Sequence, residues 1–161
     1  AFLAVGNAIG IIIGQLLGAG KTEEAVDTDR KLIAFSIMVG VASGILLAFL
    51  APIFPRLYNT TEGAKRIAME MIFAHALCLP LFAFKNATYF TLRSGGKIWV
   101  TIIFDSAFLW TVSVPIAFII SRFTAFSVVF IYLSVQAGDI LKCILGFILV
   151  KKRIWVKNIV D

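Results

Sequence analysis

Long apolar runs separated by short polar stretches organise this sequence. Five runs are predominantly hydrophobic, and most charged residues fall between them. These runs occupy residues 2–17, 32–54, 66–92, 98–120 and 125–150. About 20 apolar residues suffice for a helix to cross the hydrocarbon core of a bilayer. We therefore predict an all-α fold, a polytopic transmembrane bundle of five spanning helices in a single domain, with a polar tail at 151–161.

The ends of these runs carry helix signals. Gly18 and Gly20 follow the first run, as glycine commonly does at helix C-termini. Residues 21–31 mix acidic and basic side chains, which predicts a solvated helical loop before the second spanning helix. The stretch Thr60-Thr61-Glu62-Gly63 offers capping chemistry ahead of the third helix. Pro80 lies deep inside that helix, where membrane-spanning helices tolerate proline.

Small residues recur at helical spacing in the first two runs. The first run places four glycines at intervals of four residues, and the second places three small residues on one face. The positions are Gly6, Gly10, Gly14 and Gly18, then Ser36, Gly40 and Gly44. Interior glycine weakens a helix by about 0.5–1 kcal/mol relative to alanine in water. In lipid, small residues let helix backbones approach closely. Both stripes are therefore predicted to be helix-packing surfaces.

Composition and charge agree with a membrane location. Hydrophobic residues make up 60% of the chain and charged residues only 15%, against about 25% charged in ordinary soluble domains. The net charge of +6 does not indicate nucleic-acid binding, because the basic residues lie mostly in loops. Nine of the 15 lysines and arginines fall on one side of the predicted bundle and four on the other. By the positive-inside rule, the C-terminal tail is expected in the cytoplasm.

Four charged residues lie deep inside the apolar runs, at least seven residues from either end. At a rise of 1.5 Å per residue, Lys85, Asp105, Asp139 and Lys142 all fall roughly 10–17 Å from the predicted cytoplasmic ends of their helices. A lone charge at that depth costs about 2.5–3.5 kcal/mol, so each should find a partner. Gln136 lies one turn from Asp139 and extends this face. The layer is either an ion or substrate site or a charge-balanced structural network, and the sequence leaves both interpretations open.

Enzyme and metal chemistry find no support in the sequence. Gly20-Lys21-Thr22 has Gln15 where a phosphate-binding loop needs glycine, and it ends a helix rather than opening one. The sole histidine, His75, is either a proton relay or a packed polar residue, and no zinc-ligand spacing surrounds it. We expect no catalytic residues, no metal and no organic cofactor.

Five motifs in sequence order resemble one family. They are GQLLGAG at 14–20, the LY pair at 57–58, LRSGGK at 92–97, Asp105 with Trp110 and Pro115, and KKRIW at 151–155. Together they resemble the C-terminal half of the multidrug and toxic compound extrusion family, over essentially the whole chain. Where some members have a coupling carboxylate in the tenth helix, the third run here offers His75 and Lys85, so no coupling site is carried over.

The resemblance implies helices eight to twelve of a twelve-helix transporter. The N-terminal lobe and seventh helix of the same polypeptide would then be the missing partners, with the bilayer as the surroundings and the plasma membrane as the location. It also implies export of cationic amphipathic compounds in exchange for Na⁺ or H⁺ by alternating access. Two alternatives stay open: a lipid-linked oligosaccharide flippase of the same superfamily and a glycine-zipper membrane oligomer.

Overall fold

Six α-helices make up most of the structure, a computed structural model that describes residues 2–96, 98–102, 106–123 and 127–156. The helices are α1 (Phe2–Gly18), α2 (Thr22–Leu50), α3 (Glu62–Ser94), α4 (Ile98–Ile102), α5 (Val114–Phe123) and α6 (Val128–Lys151). A 3-10 turn, Phe54–Leu57, follows α2, and a π-helical segment, Leu109–Ser113, leads into α5.

Three of these helices are long and apolar enough to cross a membrane. They are α2, α3 and α6, while Phe2–Gly18 and Leu109–Arg122 are shorter apolar helices. With its 29 residues, α2 is about 44 Å long, against a hydrocarbon core of about 30 Å. The predicted all-α transmembrane bundle is confirmed, and the chain is a membrane-embedded protein.

Local sequence explains where several helices begin and end. The Thr61 side chain accepts a hydrogen bond from the Ala64 amide at the start of α3, and Ser127 does the same for Phe130 at the start of α6. Gly20 has a φ of +73°, a conformation that glycine adopts without strain in the turn between α1 and α2. As predicted, α3 continues through Pro80.

The central helix is α3, which packs against α1, α2 and α6. Its contact with α2 is antiparallel and close, because the small-residue stripe of α2 lies on the α3 backbone. Ser36 Oγ donates a hydrogen bond to the Ala83 carbonyl at 3.2 Å. A Cβ added to Gly40 would lie 2.8 Å from Ala83 Cβ, and one added to Gly44 would lie 2.7 Å from the Ala76 carbonyl oxygen.

The glycines of α1 divide into two pairs. Gly6 lies against the Phe90 ring of α3, and a Cβ on Gly10 would lie 3.5 Å from the same ring. At Gly14 and Gly18, an added Cβ would meet no atom within 4 Å in the part of the chain that is described. A packing role for this second pair therefore stays a prediction.

Residues 21–31 differ from the sequence expectation. Most of them are helical, as expected, but they form the first turns of α2 rather than a separate loop, so α2 begins ten residues before the predicted run. Ala25, Val26 and Asp29 are buried, while Asp27 and Lys31 on the opposite face are exposed. The expected solvation is therefore wrong for one helix face, because a window average of hydropathy does not separate the faces of an amphipathic helix.

The main hydrophobic core lies where α1, α2, α3 and the tail meet. It is formed by Ile9, Ile13, Leu17, Ala25, Val26, Ile33, Ala87, Leu92 and Trp155. Trp155 folds back after α6, is 1% exposed, and has its carbonyl against Gly95. The tail therefore joins α6 to the other three helices at this end of the bundle.

Candidate functional site

A cluster of charged side chains joins α3 to α6. Lys85 Nζ lies 2.5 Å from Asp139 Oδ2, and Lys142 Nζ lies 3.8 Å from Asp139 Oδ1. The side chains of Lys85, Asp139 and Lys142 are 23%, 14% and 5% exposed. One carboxylate thus holds two ammonium groups between apolar helices, where an unpaired charge is costly.

Aromatic rings complete the surroundings of both lysines. The Lys85 ammonium lies 4.6 Å from the centre of the Phe82 ring, and the Lys142 ammonium lies 5.0 Å from that of Phe108. Such cation–π contacts stabilise ammonium groups that are removed from water. Phe108 comes just before the π-helical segment, so this irregular stretch places an aromatic ring beside the α3–α6 cluster.

A second polar group lies on the same interface, toward the N-terminal ends of α3 and α6. His75 Nδ1 lies 2.7 Å from the Tyr132 hydroxyl, and Gln136 Nε2 donates a hydrogen bond to the Tyr132 oxygen at 3.2 Å. Tyr132, Gln136 and Asp139 are spaced i, i+4 and i+7, so they share one face of α6. Tyr132 was missed by the sequence interpretation, although this spacing could have found it.

The predicted site residues have different outcomes. The structure brings Lys85, Asp139 and Lys142 together in one cluster, and it places Gln136 next to them, bonded to Tyr132. Asp105 lies outside the described residues. Within the described ranges, no three histidine, cysteine, aspartate or glutamate side chains lie close enough together to hold a metal ion.

A cavity of about 610 Å³ opens beside the cluster, between α3 and the start of α1. Phe82, Tyr89 and Phe90 supply aromatic walls, and Lys85 and Arg93 supply positive charge. Lys85 therefore belongs both to the cavity wall and to the ion cluster. Aromatic walls and positive charge together suit an amphipathic ligand. Because Lys85 is paired with Asp139, a change in the charge of Asp139 would alter the electrostatics of the cavity wall.

Comparison with known proteins identifies the family. The MatE family model matches residues 1–119. The chain is similar to the "Probable multidrug resistance protein YoeA" of Bacillus subtilis (strain 168), at 24% identity over 84% of this chain and 29% of that protein. It is also similar to the "Multidrug and toxin extrusion protein 1" of Xenopus tropicalis, at 23% identity over 90% of this chain and 25% of that protein.

A further relative is the "Uncharacterized transporter YisQ" of Bacillus subtilis (strain 168), at 19% identity over 96% of this chain and 34% of that protein. The chain thus spans about a third or less of the length of the curated relatives it matches. No solved structure matches it significantly. Because the family model covers well over half of the sequence, this chain belongs to the MatE family of membrane transporters.

Proposed function

We propose that this chain forms helices eight to twelve of a secondary active multidrug efflux transporter in the plasma membrane. The complete polypeptide would exchange cationic amphipathic compounds for Na⁺ or H⁺, with its C-terminus in the cytoplasm. The observation that carries the proposal is Asp139, a mostly buried carboxylate held between Lys85 and Lys142 beside an aromatic cavity. Intramembrane ionisable groups of this kind mark ion and substrate pathways.

Ion binding at Asp139 would change the cavity through Lys85. A cation or proton on the carboxylate removes the negative charge that holds the Lys85 ammonium at 2.5 Å. Lys85 would then present its charge to the cavity and disfavour a cationic ligand there. The cavity would therefore bind a cationic compound more weakly when Asp139 has bound an ion. Exchange requires such a difference in affinity, because a ligand shifts a conformational equilibrium only by binding its two states unequally.

Alternating access would come from movement of this lobe against the N-terminal lobe. Transporters built from repeats place their binding sites at the repeat interface and rock one repeat against the other. The cavity beside Lys85 is bordered by α1 and α3 and is open on another side, as an inter-lobe surface would be. The exposed Lys151 and Arg153 at the end of α6 support a cytoplasmic tail by the positive-inside rule.

One observation favours a second candidate function. The charged residues of this cavity wall, Lys85 and Arg93, are both basic among the described residues. Lys85 is paired with Asp139, whereas no ion pair of Arg93 is seen among the described residues. A positive wall would suit an anionic amphipathic substrate, such as the lipid-linked oligosaccharide of the flippase alternative.

Transport by the full-length polypeptide in proteoliposomes tests the proposal. Uptake of a cationic dye, and separately of an anionic dye, under an imposed Na⁺ or H⁺ gradient is compared among wild type, Asp139→Asn and Asp105→Asn. The control is Glu70→Gln, because Glu70 lies on α3 in an exposed pair with Arg66 at 3.0 Å. We expect Asp139→Asn to lose gradient-driven uptake at least about tenfold, a typical size for coupling between sites, while Glu70→Gln stays near wild type.

Three results would count against parts of the proposal. If Asp139→Asn transports like wild type and is only less stable, the cluster is structural. If an anionic dye is taken up and the cationic dye is not, the second candidate function replaces the first. If neither dye moves under either gradient, the efflux function itself is wrong.

A further inference from the structure

Asp29 is a buried acid on the face of α2 that packs against α3. It is 1% exposed and lies in phase with Ser36, Gly40 and Gly44 of the close-packing stripe. It does not belong to the cluster around Asp139, because Asp29 is bonded to Thr91 and, among the described residues, no ion pair joins it to Lys85 or Lys142. It is therefore a separate ionisable group.

The two oxygens of Asp29 have unequal surroundings. Oδ1 lies 2.6 Å from Thr91 Oγ1, whereas Oδ2 is buried and has no hydrogen-bond partner in the described part of the chain. Asp29 also lines a cavity of about 440 Å³ between α2, α3, α6 and the tail. An ionised carboxylate with an unsatisfied, buried oxygen is costly, and the cost falls if the group is neutral.

Basic side chains face the same cavity without pairing with Asp29. Arg30 of α2, Lys151 of α6 and Arg153 of the tail line it, and α3 contributes the apolar Phe84. Arg153 Nη1 is instead bonded to Glu23 at 2.7 Å. Among the described residues, no ion pair joins Asp29 to any of these cations.

The hydroxyl of Thr91 lies within hydrogen-bond distance of two acceptors, and this arrangement suits a protonated Asp29. Thr91 Oγ1 lies 2.6 Å from Asp29 Oδ1 and 3.0 Å from the Ala87 carbonyl, yet a hydroxyl has one hydrogen to donate. If Asp29 is ionised, Thr91 can satisfy only one of these two acceptors at a time. If Asp29 carries a proton on Oδ1, it donates to Thr91, and Thr91 donates to Ala87.

We propose that Asp29 is a proton-binding site. The proton reaches it through the adjoining cavity, and its binding changes which group the Thr91 hydroxyl on α3 donates to. A sodium ion fits poorly here, because hard cations take several oxygen ligands and the cavity wall is mostly apolar. A proton needs only the carboxylate oxygen. Proton binding at Asp29 is independent of the transport function proposed above, so separate measurements test the two.

Infrared difference spectroscopy on the purified full-length protein in lipid nanodiscs, titrated over about pH 4 to 9, tests the site directly. We expect a protonated carboxyl C=O band that is still present at about pH 5, where exposed aspartates are ionised. The band should be absent from Asp29→Asn. It should persist in the control Asp27→Asn, because Asp27 is exposed and paired with Lys31 at 2.6 Å on the opposite face of α2.

Variants of Thr91 test whether its hydroxyl affects proton binding at Asp29. Thr91→Val removes the hydroxyl that is bonded to Asp29 Oδ1 in either protonation state, so the midpoint at which the Asp29 band disappears should shift from that of wild type by about one pH unit. Thr91→Ser keeps the hydroxyl and should leave the midpoint near that of wild type. A midpoint that is unchanged in Thr91→Val would overturn the role given to Thr91.

Each outcome at Asp29 is decisive. Asparagine resembles the protonated acid in shape, so Asp29→Asn should fold as well as wild type. If Asp29→Asn fails to fold while Asp27→Asn folds, the ionised form is required and the proposal is wrong. If the spectra of wild type and Asp29→Asn show the same carboxyl bands throughout the titration, Asp29 binds no proton. Dye transport can succeed or fail in either case.

Discussion

Removing either partner of the Lys85–Asp139 pair should destabilise the protein far more than removing an exposed pair does. The perturbation is a double-mutant cycle with Lys85→Met, Asp139→Asn and the double variant. The two charged atoms are 2.5 Å apart, and both side chains are largely removed from solvent. Each single variant therefore leaves an opposite charge buried without this partner.

The distances set the expected size of the effect. At an effective dielectric constant of about 20, the Lys85–Asp139 attraction is about 6.6 kcal/mol before desolvation, and the Lys142–Asp139 attraction is about 4.4 kcal/mol. Desolvation offsets much of this. Breaking a buried pair typically lowers the free energy of unfolding by about 3–5 kcal/mol. Since Lys85 retains some exposure, we expect about 3 kcal/mol for each single variant and a coupling energy of about 2–3 kcal/mol.

The assay is equilibrium unfolding of the purified protein in mixed micelles. The matched control is the cycle of Arg66→Met and Glu70→Gln, an exposed pair at 3.0 Å on the same helix α3. An exposed pair of this kind should show a coupling energy of only about 0.3–0.5 kcal/mol. If the coupling energy between Lys85 and Asp139 is no larger than that of the control, the two charges do not stabilise each other and the reasoning fails.

Three further predictions concern packing and are checked by thermal unfolding in the same micelles. Gly40→Ala should lower stability by about 1–3 kcal/mol, because its Cβ would lie 2.8 Å from Ala83 Cβ and 3.0 Å from Pro80 Cα. Gly14→Ala, where the described chain leaves space, should instead raise stability by up to about 1 kcal/mol, and equal effects at the two glycines would contradict the packing described. Trp155→Ala should cost about 3–5 kcal/mol, because this side chain is 1% exposed in the core, and a tail that merely rests on the surface would show no such loss.

Three of the five apolar runs lie close to helices of the structure, namely α1, α3 and α6. The run 66–92 lies within α3, and 125–150 nearly coincides with α6. The start of α2 was missed, because Glu23, Glu24 and Asp27 on the exposed face make its first turns appear solvated. The buried positions 25, 26, 29 and 33 repeat at helical spacing, so periodicity could have revealed the inner face where mean hydropathy could not.

The charged cluster was partly accessible from the sequence. Depth along the helix axis follows from the rise per residue, which placed Lys85, Asp139 and Lys142 in one layer. Depth does not determine which faces of two helices meet, so the contact between His75 and Tyr132 was not foreseen. That Lys85 and Lys142 both pair with Asp139 likewise depends on how α3 and α6 are rotated.

By itself, the sequence determined that this is an all-α membrane protein, which family it resembles and which charges fall within its apolar runs. These properties follow from composition along one dimension, because the bilayer demands long apolar helices whatever their neighbours are. Only the tertiary structure decided that Asp139 binds Lys85 and that Asp29, assigned by sequence to a polar connector, is buried against Thr91. The physical reason is that the burial and pairing of a charge depend on the rotation and contact of neighbouring helices, which no single segment encodes.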